Sequence, residues 1–198
     1  MELDLSILLL KKISAKTNES RRRDYLILDQ AGIKTNRLSA QKATTPLVTF
    51  EENMLILAEA GFRTAGFTGG LTRLNALRTH LAMGTSFAGD PILLILYTNY
   101  VATDCNAGGV ENLGGINANR ALLREIMDEK YVSCFGTLLP FDDFRRIRAT
   151  DGDIAMPIPI NAGTVYPERF LIAQDEINGN NFAPSPIPGL FVKTPVNK

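Results

Sequence analysis

Histidine is the side chain most often used to move protons near neutral pH, and this chain has one, His80. A single histidine excludes HExxH zinc sites and histidine-rich metal clusters, and it leaves one candidate base for a nucleophile. Its place on a predicted helix favours an exposed or hydrogen-bonded structural role. Ser86, in Gly84-Thr85-Ser86-Phe87-Ala88, misses the last glycine of the GxSxG elbow. Cys105 and Cys134 stand too far apart for a CxxC zinc or redox pair. They could pair in an oxidising compartment, but the neighbours Val132 and Phe135 favour buried hydrophobic thiols. Gly108-Gly109 and Gly114-Gly115 lack both the GxGxxG order and a following Gly-Lys-Ser/Thr, so a surface turn is preferred over a phosphate loop. Asp151-Gly152-Asp153 lacks the other ligands of a calcium loop. The adjacent acids Asp128/Glu129 and Asp142/Asp143 read as solvated helix-surface pairs, because a glycosidase pair is defined by separation across a sugar.

What remains is Tyr97 and Tyr100, the candidate ligand-binding residues, whose rings could stack on a sugar. Core packing is an equal competitor for both, and a chain without tryptophan shows no strong sugar platform. No catalytic set, metal site or cofactor motif emerges.

The chain has 198 residues, one domain or a large piece of one, and 45% of them are hydrophobic, enough for a core. Lys plus Arg and Asp plus Glu are both 21, so no global field favours nucleic acid or an anionic membrane surface. The one dense basic run, Arg21-Arg22-Arg23, lies between Glu19 and Asp24 and is expected to be a partly neutralised, solvated surface. At the start, Glu2 and Asp4 precede a short apolar run, Ile7 to Leu10, which ends at Lys11-Lys12. That charge order is the reverse of a secretory signal, and the run is too short for one. No cysteine near the start offers an acylation site, and no stretch approaches the ~20 apolar residues of a membrane span. As it stands, the sequence carries no export address.

The elements that must position these residues are mainly helical. Residues 1–16 suit a short amphipathic helix, Tyr25 to Leu28 are strand-like, and 29–45 read as loop. Thr49 with Glu52 three residues on forms a capping box. Phe50, Met54, Leu57, Ala58, Gly61 and Phe62 then share one helical face, and Gly66 stops the helix. A second helix fits Gly70 to Met83, with Leu71, Leu74, Leu77 and Leu81 on a stripe and Gly84 at its end. Joined by about five residues, the two should pack as an antiparallel hairpin. Small residues such as Ala58 and Gly61 suit close helix approach, giving the unit a tetratricopeptide flavour. No second copy follows at a period of about 34 residues.

Residues 85–116 form a long connection, with Ile92 to Leu96 as strand or helix. A third helix is capped by Asn117 or Asn119 and runs to Phe135, with Leu122, Leu123, Ile126 and Met127 inward and Arg124/Asp128 paired on its outer side. A short helix follows Pro140, with Phe141, Phe144 and Ile147 on one face and Asp142/Asp143 pairing with Arg145/Arg146. Beyond Thr150, prolines at 157, 159, 167, 184, 186, 188 and 195 are expected to break any helix, while persisting apolar residues argue for an extended chain pinned to the helices.

The stretch "TTPLVTFEENMLILAEAGFRTAGFTGGLTRLNALRTHL" resembles the helical hairpin of SusD/RagB-like proteins, with Thr49, Glu52, Asn53, Ala58, Glu59, Ala60, Arg63, Leu74, Asn75 and Arg78 at the matching positions. "ALLREIMDEKYVSCFGTLLPFDDFRRI" and "YPERFLIAQDEINGNNFAPSPIPGLF" are similar to that family's next helix with its FDDFRR-type element and to its closing segment. The resemblance covers roughly residues 44–198, in order. It implies a mainly α-helical fold of tetratricopeptide-like helix pairs with long loops and an extended Pro-rich C-terminal segment wrapped on the helices. It also implies an outer-membrane, cell-surface lipoprotein, anchored by an N-terminal lipidated cysteine, which binds oligosaccharide or another nutrient without catalysis. Such a subunit caps a SusC-like TonB-dependent transporter and hands it the ligand. Family members are typically more than twice as long, so the chain reads as a single partial domain: an irregular N-terminal segment 1–49, a helical body 50–148 and an extended tail 149–198. No ligand contact transfers by motif. The alternatives are a tetratricopeptide-like protein-interaction module and a polysaccharide hydrolase.

Overall fold

The computed structural model describes residues 12–26, 46–87, 92–156 and 165–194. It is mainly helical, with five α-helices and one two-stranded antiparallel sheet among the described residues. Two compact units are formed, Met1–Pro140 and Phe141–Lys198. The first holds β1 (Thr17–Asn18), α1 (Ser20–Leu26), α2 (Phe50–Ala82), β2 (Leu96–Tyr97), a 3₁₀ turn (Ala102–Cys105) and α3 (Ala118–Ser133).

The centre of this unit is α2, which begins where the capping residues require. Thr49 is extended, and its Oγ1 accepts the Glu52 amide at 3.0 Å. At Gly66 the backbone takes φ 68°, ψ −157°, a region essentially restricted to glycine, and the helix is broken there into two arms. The chain folds back on itself. A methyl group at Gly69 would come within 2.6 Å of the Gly61 carbonyl oxygen, and one at Gly70 within 2.8 Å of Phe62 Cβ. At the far end, the Phe50 and His80 rings meet with centroids 4.4 Å apart. The expected five-residue connection is therefore a single non-helical glycine, because helical geometry resumes at once after it.

The arms bury Leu55, Ala58, Leu74, Leu77 and Leu81 against Leu122 and Ile126 of α3. At about 1.5–3 kcal/mol for each large apolar side chain, this cluster is the main stabilising element of the unit. Cys105 lies in the same core, and Cys134 is buried as a thiol after the end of α3. Asn117 rather than Asn119 caps α3, its Oδ1 accepting the Asn119 amide at 2.9 Å. The helix ends at Ser133, with Cys134 as C-cap, two residues short of the expected Phe135.

Several local expectations are corrected. Tyr25 and Leu26 lie in α1, not in a strand. Residues 12–16 are non-helical, and a bridge between Ile13 and Asn18 ties them to β1. Arg22 is buried rather than solvated, for it finds two carboxylates in the interior. Arg124 and Asp128 are half-buried, and Arg124 donates instead to the Glu111 carbonyl oxygen at 3.0 Å. The connection 85–116 contains β2, which pairs Tyr97 with Thr17 and Leu96 with Asn18. The loop expected over 29–45 and the start of the first helix lie outside the described residues.

The second unit is organised by α4 (Leu139–Thr150), which begins at the boundary, and contains the short α5 (Gln174–Gly179). This short helix corrects the expectation of an extended tail without helix, because no proline lies between Pro167 and Pro184 to break it. Arg146 donates to Asp143 at 2.7 Å, and Arg145 approaches Asp142 at 3.8 Å, the pairing expected from their spacing. Ile147 is buried. Phe141 packs on Phe170, and Phe144 on Tyr166, with centroids 4.7 and 4.9 Å apart. Arg148 crosses the Phe144 and Tyr166 rings and donates to Glu168. The Glu168 amide in turn donates to the Leu190 carbonyl oxygen at 2.9 Å.

Candidate functional site

The densest concentration of chemistry in the first unit is a buried polar cluster, built from elements distant in sequence. The segment 12–22 supplies Lys12, Lys16, Thr17, Glu19 and Arg22; the second arm of α2 supplies Asn75 and Arg78. The connection supplies Tyr97, Tyr100, Asp104 and Glu111, and α3 supplies Glu125 and Glu129. The candidate residues Tyr97 and Tyr100 stand at its centre. They are 4% and 2% exposed, so their rings meet protein rather than solvent.

Tyr100 is fixed on every side. Asn75 grips its backbone twice, accepting the amide at 2.8 Å and donating to the carbonyl oxygen at 2.9 Å. The Arg78 guanidinium lies 3.8 Å over its ring, and Thr17 Oγ1 is 3.1 Å from its hydroxyl. That hydroxyl also contacts Glu111 at 2.7 Å and Glu125 at 2.8 Å. One phenolic proton cannot fully serve two carboxylates. Desolvation, opposed by Lys12 and aided by the Glu111 charge, raises Glu125 above the usual carboxylate range. Desolvation followed by the Glu125 charge likewise pushes the phenol far above its ordinary range, so Tyr100 is a neutral donor.

Lys12 sits 2.6 Å from Glu111 and 2.8 Å from Glu125. Burial alone would lower its ammonium, but the charges of Glu125 and Glu111 outweigh that and hold it above its normal range. A second clasp lies beside the first. Arg22 donates to Glu129 at 2.5 Å and to Ser133 Oγ, while Tyr97 donates to Glu19 at 2.6 Å. Desolvation dominates at Glu19 and, against the nearby Arg22 charge, pushes it up to about 7. Two cations, the half-buried Lys12 and the buried Arg22, thus face four buried carboxylates, Glu19, Glu111, Glu125 and Glu129, while the buried Arg78 lies over the Tyr100 ring. The upward shifts of Glu19 and Glu125 bring the charges towards balance.

Chemically, this arrangement fastens chain to chain. Glu111 and Glu125 converge on one lysine and one phenol, so the space between the two carboxylates is filled by protein, not left for a sugar and a water. Arg78, fully buried, donates to the carbonyl oxygens of Thr98 at 2.9 Å and Lys16 at 2.7 Å, and to Thr17 Oγ1 at 2.9 Å. It ties the segment before α1 to the strand that follows the hairpin.

His80 and Ser86, distinct motifs in sequence, are brought together. Ser86 Oγ is 2.7 Å from His80 Nε2, and Glu51 Oε1 stands 3.5 Å from that same nitrogen. In a nucleophilic triad the acid orients the opposite ring nitrogen. Here both partners share one nitrogen, which is the geometry of a clamp across the open end of the two arms. Among the described residues no group of three or more His, Cys, Asp or Glu could hold a metal ion, and no helix is long and apolar enough to cross a membrane.

Sequence reasoning missed the cluster because its partners lie far apart: Glu111 is 99 positions on from Lys12, and Glu125 is 113 positions on. One signal was present. Glu125 and Glu129 are spaced i,i+4 within a helix whose apolar residues 122, 123, 126 and 127 leave it little room for a solvent face. In the structure α3 is buried nearly all round.

Comparison with known proteins found no matching family model, no matching curated protein and no matching solved structure.

Proposed function

We propose that this chain is the C-terminal part of a SusD/RagB-like nutrient-binding subunit. It binds an oligosaccharide or another nutrient without converting it and passes it to a SusC-like TonB-dependent outer-membrane transporter. The observation that carries the reading is the order of three family-like stretches along residues 44–198. The placement of the first stretch supports it. Thr49 caps α2, while Ala58 and Leu74 fill the core. Glu59 contacts Arg63 at 2.8 Å and Lys130 at 3.6 Å, and Asn75 and Arg78 hold the chain at 98–100. Matched positions with architectural duties are what a shared fold asks of a sequence, and ligand specificity is then left to other residues. Tetratricopeptide-like pairing of the helices, and a Pro-rich segment lying extended on them, belong to the same reading. So does cell-surface anchorage through an N-terminal lipidated cysteine; the cysteines of this sequence are at 105 and 134.

The fold-back of α2 favours one second reading, a helical-hairpin protein-interaction module. Calorimetric titration of the chain with a panel of oligosaccharides and peptides, with product analysis of the same samples, separates the possibilities. Saturable oligosaccharide binding with intact sugar is expected. Shortened sugars would replace the proposal with a hydrolase, and binding confined to peptides would favour the interaction module.

A further inference from the structure

The clasps are unevenly distributed, and that unevenness has a dynamic consequence. The core between the arms of α2 and α3 is mainly leucine, isoleucine and alanine, with a buried ion contact, Glu59 to Lys130 at 3.6 Å. The segment 12–26, by contrast, is fastened almost wholly by polar contacts. Lys12 reaches Glu111 and Glu125, and Lys16 reaches Asp104 at 2.6 Å. Thr17 meets Tyr100 and Arg78, Glu19 accepts from Tyr97, and Arg22 donates to Glu129. Ile13 is exposed, and the apolar contribution comes only at the end, where Tyr25 packs near Phe87 and Leu26 on Val132.

Buried ion pairs regain in attraction little more than they lose in desolvation, whereas buried apolar surface is a net gain. Detaching this segment would return Lys12, Lys16, Arg22 and their carboxylate partners to water, where each is well solvated. Detaching a face of α2 or α3 would expose leucine. We infer that residues 12–26 form a charge-clasped strap that opens as a unit while the helical body stays folded, uncovering Tyr97, Tyr100 and the acids Glu111, Glu125 and Glu129. The inference stands independently of the nutrient-binding proposal, since it concerns how the segment is held and not what the chain binds.

Hydrogen exchange on the full chain, followed by mass spectrometry, tests it. In the wild type, peptides covering 12–26 should exchange at least about tenfold faster than peptides covering 121–127. Lys12→Met should quicken the strap by about another tenfold and leave 121–127 unchanged. Equal wild-type rates in the two regions would overturn the inference, because strap and body would then open together. So would a variant that quickens both regions alike, or neither. Should Lys12→Met fail to fold, the wild-type comparison decides alone.

Discussion

Gly66 offers a clean separation of backbone strain from packing. Its φ of 68° and ψ of −157° lie where only glycine is at ease, yet a Cβ built there meets nothing within 4 Å. Gly66→Ala therefore introduces no clash, and its whole cost is conformational, about 1–3 kcal/mol. Gly114 supplies the control. A Cβ there also meets nothing within 4 Å, but its φ is not positive. Gly114→Ala should be neutral or stabilise by about 0.4–1 kcal/mol, by restricting the unfolded chain. For a chain of this size each kcal/mol moves Tm by about 2–4 °C, so a loss of about 2 kcal/mol at Gly66 lowers Tm by about 4–8 °C. Urea denaturation followed by far-ultraviolet circular dichroism measures both variants on one scale. If the two substitutions agree within about 0.5 kcal/mol, the fold-back at Gly66 is not where the hairpin is decided.

Three further outcomes are expected. Thr49→Ala removes the acceptor for the Glu52 amide and should destabilise by about 1 kcal/mol in the same denaturation assay, whereas Thr49→Ser should retain most of the stability. Arg78→Met keeps the stem of the side chain but strips its donors from the Thr98 and Lys16 carbonyl oxygens and its charge from the Tyr100 face. The expected loss is about 3–5 kcal/mol, read by near-ultraviolet circular dichroism of the tyrosines, and a loss under about 1 kcal/mol would show that these bonds are dispensable. Desolvation, and then the Glu125 charge, raise Asp128 from 3.8 to about 7. The folded chain keeps that proton where the unfolded chain loses it, so stability is highest below 3.8 and falls as pH rises through about 7. Asp128→Asn should flatten this part of the stability–pH curve; an unchanged slope would place the titration elsewhere.

Much of the helical framework was legible in local sequence. Thr49 and Glu52, the apolar stripes and Gly66 mark the arms of α2 because caps, periodicity and a left-handed break act over a few residues. The Asp142/Asp143 pairing with Arg145/Arg146 was legible for the same reason, since i,i+3 neighbours are set by helical geometry alone. The polar cluster was not. Nothing near Arg22 in the chain announces Glu129 as a partner, and charged residues in a run are ordinarily solvated.

Tyr97 and Tyr100 show the division most clearly. The sequence by itself determined that two amphipathic rings would sit three residues apart in a long connection. It left open whether they face a ligand or the core. Tertiary structure placed β1 against β2, laid Arg78 on the Tyr100 ring and closed the clasp with Lys12 and Arg22. The physical reason is range. Backbone conformation is selected within a turn or two of chain, whereas a buried charge is tolerable only beside a partner, and folding alone brings in a partner from about 100 residues away.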